Sequence, residues 1–109
     1  MTIQDVNTIS WGTLGEAESR ELFPGIVART IWAGNDNSKA IVVDFAPGSK
    51  WDGIDLHEPG AEEVFVITGV LNDGIRDFEA GTFIHNPKGS FHVPRSEKGC
   101  RLFLFFPEG

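Results

Sequence analysis

Short runs of β-branched and aromatic residues, each closed by glycine, proline or asparagine, recur along most of this chain. Such runs are typical of strands and lack the period of 3.6 residues that amphipathic helices show. The expected strands cover residues 26–33, 39–46, 62–68, 75–78, 82–85, 91–93 and 100–106. Segment 34–38 between the first two predicts a hairpin turn. The spacing of these breaks predicts an all-β fold, either a sandwich or a barrel.

The length of 109 residues suits one domain with one core. Residues 14–22 contain good helix formers, but Pro24 and Gly25 stop any helix, so we expect at most a short surface turn there. We therefore expect a single domain over residues 1–109. Its barrel core covers about residues 26–106, and residues 1–25 form an N-terminal extension.

The charge balance and the single cysteine exclude several classes of protein. Nine basic against sixteen acidic residues give a net charge of −7, which repels nucleic acid. No apolar run is long enough to span a membrane, and the N-terminus does not resemble a signal peptide. Cys100 alone cannot form an intrachain disulfide. We therefore expect a cytoplasmic protein without a nucleic-acid or membrane partner.

The first concentration of chemically active residues lies around Asp55, His57 and Glu62. Residues two apart on a strand share a face, so Asp55 and His57 point the same way. A turn at residues 59–60 then brings Glu62 onto a neighbouring strand, beside His57. Glu63 competes with Glu62, because a one-residue change of register exchanges the two faces of a strand. Asp55 is a tentative member, since a solvated carboxylate at a strand end is equally compatible with its position.

A second segment places His92 after a tight turn that Pro87 and Gly89 form. Together with His57 and Glu62, it supplies two imidazoles and one carboxylate. That ligand set suits Fe(II) and also accepts Mn, Ni or Zn. The residues therefore predict one divalent metal ion, of open identity.

These two segments resemble the paired motifs of the cupins, small β-barrels. In the second cupin motif Gly81, Pro87, Gly89 and His92 fall at the family's spacing, and Ser96 replaces the final Asn. The resemblance implies a double-stranded β-helix, or jelly-roll, barrel. It also implies a homodimer, since cupins are commonly dimers.

The first cupin motif matches at His57, Glu62 and Gly69. Asp55 stands where the family has its first histidine, and Ser49 stands in the place of the opening glycine. An aspartate there could bind through oxygen and give a site of two histidines and two carboxylates, or the site could be weakened or lost.

A narrower resemblance is to the ChrR-type cupin domain of zinc-dependent anti-sigma factors. The residues that carry it lie in segments 23–26, 45–48, 59–64, 86–92 and 96–100. The anti-sigma activity of that family depends on a separate N-terminal zinc domain. The first 25 residues here contain neither His nor Cys, so we do not expect that domain within them. The chain also resembles the acetylacetone-cleaving dioxygenase, a cupin with a three-histidine iron site. Only two of those three histidines have a counterpart in this sequence.

Three other residues admit a plainer interpretation than a site. His85 is a poor ligand by motif and is expected to have a hydrogen-bonded structural or pocket role. Cys100 opens an apolar strand and suits core packing. Arg95 follows the second motif and either orients an anionic substrate or lies in solvent.

Two main functional hypotheses remain open. In the first, the metal centre acts on a small-molecule substrate, in the manner of an oxygenase or a related metalloenzyme. In the second, the chain is a non-catalytic metal- or ligand-binding or sensing module that resembles the ChrR-type regulatory domain. A third possibility is an empty barrel, in which the missing first histidine has abolished metal binding. The fold alone cannot choose between them.

Overall fold

The computed structural model describes residues 3–109, and strands dominate this part of the chain. Two short 3-10 turns, Val6–Thr8 and Leu14–Glu16, precede the first strand. The eleven strands are β1 Ser19–Phe23, β2 Ile26–Ala33, β3 Lys39–Phe45, β4 Ser49–Lys50, β5 Asp55–Leu56, β6 Glu62–Asn72, β7 Asp77–Glu79, β8 Phe83–Asn86, β9 Phe91–His92, β10 Arg95–Ser96 and β11 Cys100–Phe106. The prediction of an all-β fold is confirmed.

All strand pairs are antiparallel. The main sheet has the order β1-β2-β3-β11-β6-β10-β4, and both β7 and β8 also pair with β6. The last strand, β11, therefore lies between β3 and β6. The short strands β5 and β9 pair with each other apart from this sheet. The last strand thereby joins β1–β3 to β6 in one nearly closed, barrel-like sheet.

The core follows from the alternation of side chains along the central strands. In β6 Val64 and Val66 are buried, and in β11 Leu102 and Leu104 are buried, while the residues between them face outward. The same alternation buries Ile26 and Ala28 of β2. In β3 both faces are buried, because Ala40, Ile41, Val42 and Val43 are all almost inaccessible to solvent. Cys100 is 7% exposed and belongs to this core, as its sequence context indicates.

The N-terminal region differs from the expectation for residues 14–22. Only Leu14–Glu16 forms the short turn, and Ser19–Phe23 forms a strand that pairs with β2. Pairing in the sheet outweighs the helix preference of this segment, which is a weak local bias. The sheet thus begins at Ser19, ahead of the expected start at residue 26.

Asp44 joins three neighbouring strands through ion pairs. Its carboxylate accepts hydrogen bonds from Arg101 at 2.7 and 3.0 Å, and from Arg29 at 3.1 Å. The Arg101 hydrogen bonds and the charges of both arginines hold the pKa of Asp44 below its usual 3.8, although burial acts in the opposite direction. A group with a lowered pKa stabilises the folded state above its unfolded pKa, and this stabilisation is lost as the pH falls through the folded pKa.

We expect Asp44→Asn to lower the free energy of unfolding at pH 7 by about 1 kcal/mol. The difference from wild type should shrink as the pH falls below 4, where the wild-type carboxylate also becomes neutral. Urea unfolding between pH 7 and pH 2.5 measures it, and Asp52→Asn, at an exposed position, is the control. A constant difference across this range would show that the ion pairs are not its cause.

No helix among residues 3–109 is long and apolar enough to cross a membrane.

Candidate functional site

Two carboxylate and two imidazole side chains meet where the short β5–β9 pair approaches the start of β6. Asp55 of β5 lies directly opposite His92 of β9. His57 follows β5, and its backbone exchanges hydrogen bonds with the turn before β9, through Ser90 and Gly89. Glu62 is the first residue of β6. One ligand atom from each of the four side chains lies within 4.8 Å of all the others.

The nitrogen and oxygen atoms of this cluster lie close to one another. Nε2 of His57 lies 3.4 Å from Oε1 of Glu62 and 3.6 Å from Oδ2 of Asp55. Nε2 of His92 lies 3.0 Å from the same Asp55 oxygen. The two imidazole rings meet edge to face, with their centroids 4.6 Å apart. All four side chains therefore direct polar atoms toward a common centre.

Ser90 fixes the tautomer of His57. Its hydroxyl donates a hydrogen bond to the carbonyl oxygen of Pro87 at 2.6 Å, and its oxygen lies 2.9 Å from Nδ1 of His57. A hydroxyl has one proton to donate, so towards His57 it acts as an acceptor, and Nδ1 carries the imidazole proton. Nε2, which faces the cluster, is then the nitrogen with the free lone pair. This is the tautomer that a metal ligand requires.

The negative charges of Glu62 and Asp55 favour a positive charge at His57. Burial by itself lowers the pKa of the imidazole, but the adjacent carboxylate of Glu62 and the charge of Asp55 outweigh it, so the pKa is raised above the usual 6.5. Within residues 3–109, Nε2 of His57 is buried and has no hydrogen-bond partner. A buried nitrogen with a free lone pair and two carboxylates beside it fits a divalent metal ion.

Asn86 supports the carboxylate of Glu62. The two residues lie opposite each other in the β6–β8 pair, and the Asn86 amide donates a hydrogen bond of 3.1 Å to Oε1 of Glu62. Glu62 is only 5% exposed. This oxygen is therefore held in position inside the barrel.

The cluster lines a cavity of about 240 Å³ inside the barrel. Most of its other walls are apolar and come from the central strands, among them Ile41, Leu104 and Phe106. Trp51 also lines it and packs edge to face against Phe23, with ring centroids 4.6 Å apart. An apolar cavity with a few convergent polar groups is the usual form of a small-molecule site.

Comparison with known proteins identifies the family. The model of the ChrR cupin-like domain matches residues 4–107, which is almost the whole chain. The chain belongs to the ChrR cupin-like family. No curated protein matches this cupin by sequence.

Solved structures share its fold at low sequence identity. An RmlC-like cupin from Shewanella frigidimarina matches with a TM-score of 0.78 and 18% identity over 94% of this cupin and 93% of that chain. One chain from the crystal structure of the complex between Rhodobacter sphaeroides SigE and the anti-sigma ChrR matches with a TM-score of 0.72 and 21% identity, over 85% of this cupin and 51% of that chain. Hydroxypropylphosphonic acid epoxidase from S. wedmorenis matches with a TM-score of 0.78 and 13% identity, over 91% of this cupin and 59% of that chain. At these identities the likeness shows the cupin fold alone.

The structure brings together all four residues that the sequence suggested as metal ligands, including the tentative Asp55. It also distinguishes the two neighbouring glutamates, because Glu63 lies on the outer face and pairs with His85. His85 is exposed and takes no part in the cluster. Glu62 is therefore the glutamate that faces the cavity.

The basic residues that line the cavity do not include Arg95, the arginine that the sequence suggested for an anionic substrate. Arg95 lines a separate depression with Asn72 and Glu79, outside the cavity of the cluster. Arg20 and Lys39 line that cavity instead. Sequence reasoning missed both, because neither belongs to a motif and Arg20 lies in a segment that was expected to form a turn.

Proposed function

We propose that this cupin binds one divalent metal ion through His57, Glu62, His92 and Asp55, and acts on a small molecule in the adjoining cavity. The observation that carries the proposal is the buried Nε2 of His57, which has no hydrogen-bond partner within residues 3–109 and lies between two carboxylates. Two imidazoles and two carboxylates suit Fe(II), Mn, Ni or Zn.

The residues divide the work at such a centre. Ser90 holds His57 with the Nε2 lone pair facing the cluster, where it would bind the ion, and Asn86 holds one oxygen of Glu62. The carboxylates of Asp55 and Glu62 neutralise the charge of a divalent ion. The apolar cavity wall limits water near the ion and shapes the space for a substrate. When bound, the metal would supply Lewis-acid polarisation of the substrate or activation of oxygen.

We favour an oxygenase or a related small-molecule metalloenzyme. The cavity beside the cluster supports this choice, and one protein of the same fold is named as an epoxidase. The test is elemental analysis of protein purified without chelator or an affinity-tag metal, followed by oxygen-consumption assays of the metal-loaded protein with a panel of small acids, alcohols and ketones. Stoichiometric metal with substrate-dependent oxygen uptake would support the proposal. Absence of metal, even after anaerobic reconstitution with Fe(II), would contradict it.

A non-catalytic sensing module is the second candidate function. The family match favours it, as does the fold shared with a chain of the SigE–ChrR complex. Such a module would change the binding of a protein partner when metal or a small ligand occupies the cavity. Stoichiometric metal without turnover of any compound in the panel, together with metal-dependent capture of one partner, would support this candidate and exclude the enzymatic one.

Ser90→Ala is expected to weaken metal binding by about 10- to 100-fold, because it removes the acceptor that holds Nδ1 of His57 protonated. Ser90→Thr, which keeps a hydroxyl, should retain most of the affinity. Competition with a chelator of known affinity measures both variants. Equal affinity of Ser90→Ala and wild type would show that the Ser90 hydrogen bond does not prepare His57 for a metal.

We further propose a single cytoplasmic domain over residues 1–109 that forms a homodimer and has no nucleic-acid partner. The exposed phenylalanines Phe65 and Phe83, opposite each other on β6 and β8, support self-association through the outer sheet face. The net charge of −7 argues against nucleic acid, and a single cysteine suits a reducing compartment. Light scattering of wild type and Phe83→Lys tests the dimer, which the charge at this position should dissociate.

A further inference from the structure

Two basic side chains line the same cavity as the metal-ligand cluster. Arg20 comes from β1 and is exposed, whereas Lys39 opens β3 and is half-buried. Arg20 donates a hydrogen bond of 3.1 Å to the hydroxyl of Thr30, and Nζ of Lys39 lies 5.4 Å from the centre of the Phe106 ring. Within residues 3–109, neither cation forms an ion pair.

Strand register separates these cations from the cluster by a stretch of apolar wall. Lys39 lies opposite Phe106 of β11, and β11 lies between β3 and the strand that begins with Glu62. Thr30, the partner of Arg20, lies opposite Ile41. The cavity therefore has a basic region on the β1 and β3 side and the cluster on the β6 side, with apolar side chains between them.

The charges leave this basic region without full compensation. Three other arginines are paired, Arg29 and Arg101 with Asp44 and Arg76 with Asp73. Arg95, outside this cavity, forms no ion pair within residues 3–109. In the cavity a divalent ion would neutralise two carboxylates of the cluster. Among the side chains of the lining, the remaining charges are then those of Arg20, Lys39 and Glu58. A cavity with this surplus of positive charge selects a negatively charged ligand.

We propose that Arg20 and Lys39 form an anion subsite, and that the ligand of this cavity is a short-chain organic acid. Its carboxylate lies at the two cations, its apolar chain lies along the wall around Ile41 and Phe106, and its other end reaches the cluster. The cavity of about 240 Å³ restricts the ligand to a small molecule, since pockets for drug-sized ligands measure roughly 300–1,000 Å³. The orientation of the ligand and the positive surplus of the cavity rest on the proposed metal function, whereas the presence of the two cations in the lining does not.

The test is calorimetric titration with glutarate and with pentanoate, which has the same chain length but one carboxylate fewer. Both probes are titrated into wild type and into Arg20→Gln/Lys39→Gln, each in metal-loaded and chelator-treated form. The matched control is Arg95→Gln/Lys98→Gln, which removes the same charge at exposed positions outside this cavity. Metal content is measured on the same samples.

We expect Arg20→Gln/Lys39→Gln to bind glutarate about tenfold or more weakly in both metal states, because charge-assisted hydrogen bonds are lost. The preference of metal-loaded wild type for glutarate over pentanoate should also disappear in this variant. The metal content should not change. The control variant should bind both probes like wild type.

Unchanged glutarate affinity in Arg20→Gln/Lys39→Gln would overturn the subsite, as would equal weakening in the control variant. If wild type binds no metal, yet Arg20→Gln/Lys39→Gln binds glutarate more weakly than wild type, the subsite is supported and the metal function is contradicted. The two failures are therefore distinguishable. Arg20→Gln alone, at an exposed position, provides the same comparison if the double variant does not fold, with a several-fold weakening expected.

Discussion

His92→Ala is expected to purify without stoichiometric metal and to gain no stability when metal is added. His92 supplies one of the two imidazoles of the cluster, and its Nε2 lies 3.0 Å from Asp55, the residue opposite it in the β5–β9 pair. Loss of a direct ligand should weaken metal binding by more than the roughly 10- to 100-fold that changes in supporting hydrogen bonds cause. The fold should tolerate the change, because β9 has only two residues and lies outside the main sheet.

Metal content by elemental analysis and the unfolding midpoint with and without added metal measure this effect. A ligand at about 100 times its dissociation constant stabilises the folded state by about 2.7 kcal/mol, so wild type should show a clear shift. His85→Ala is the matched control, since His85 is a histidine on the outer face that contacts Glu63. Full metal stoichiometry in His92→Ala, or equal loss in His85→Ala, would show that His92 is not a ligand.

The cluster could be predicted from the sequence because short turns bring its members together. The turn at residues 59–60 separates His57 from Glu62, and the turn at residues 87–90 delivers His92 beside Asp55. Such turns depend on local proline and glycine chemistry, which a sequence displays directly. Runs of β-branched and aromatic residues likewise predicted β2, β3 and β11. β2 and β11 alternate between buried and more exposed residues, whereas β3 is buried on both faces.

The parts that the sequence did not reveal depend on contacts between distant segments. β4, β5 and β10 have two residues each, too few for any periodic pattern. β1 exists because β2 pairs with it, against the helix preference of its own residues. The basic side of the cavity needs both β1 and β3 in place, so Arg20 and Lys39 have no sequence signal as a pair.

Gly69→Ala is expected to lower the free energy of unfolding by about 3 kcal/mol or more, a large part of the 5–15 kcal/mol that holds a typical domain folded. Gly69 closes the first motif and has a φ of +78°, where an alanine costs about 1–2 kcal/mol. A Cβ at this position would also overlap the carbonyl oxygen of Gly99 and lie 2.7 Å from Cα of Cys100. Both obstacles are backbone, and the Gly99 oxygen accepts a hydrogen bond from the amide of Val70 at 3.3 Å. Relief would therefore disturb the pairing of β6 with β11.

Gly81→Ala separates the two causes of this loss. Gly81 opens the second motif with a φ of +91°, but a Cβ there would meet no atom within 4 Å. Its alanine variant should lose only about 1–2 kcal/mol, from backbone strain alone. Urea unfolding of both variants measures the difference between them. Equal losses would show that the left-handed conformation alone requires glycine at Gly69. A larger loss at Gly69 would show that this position also needs the space between β6 and the backbone of Gly99 and Cys100.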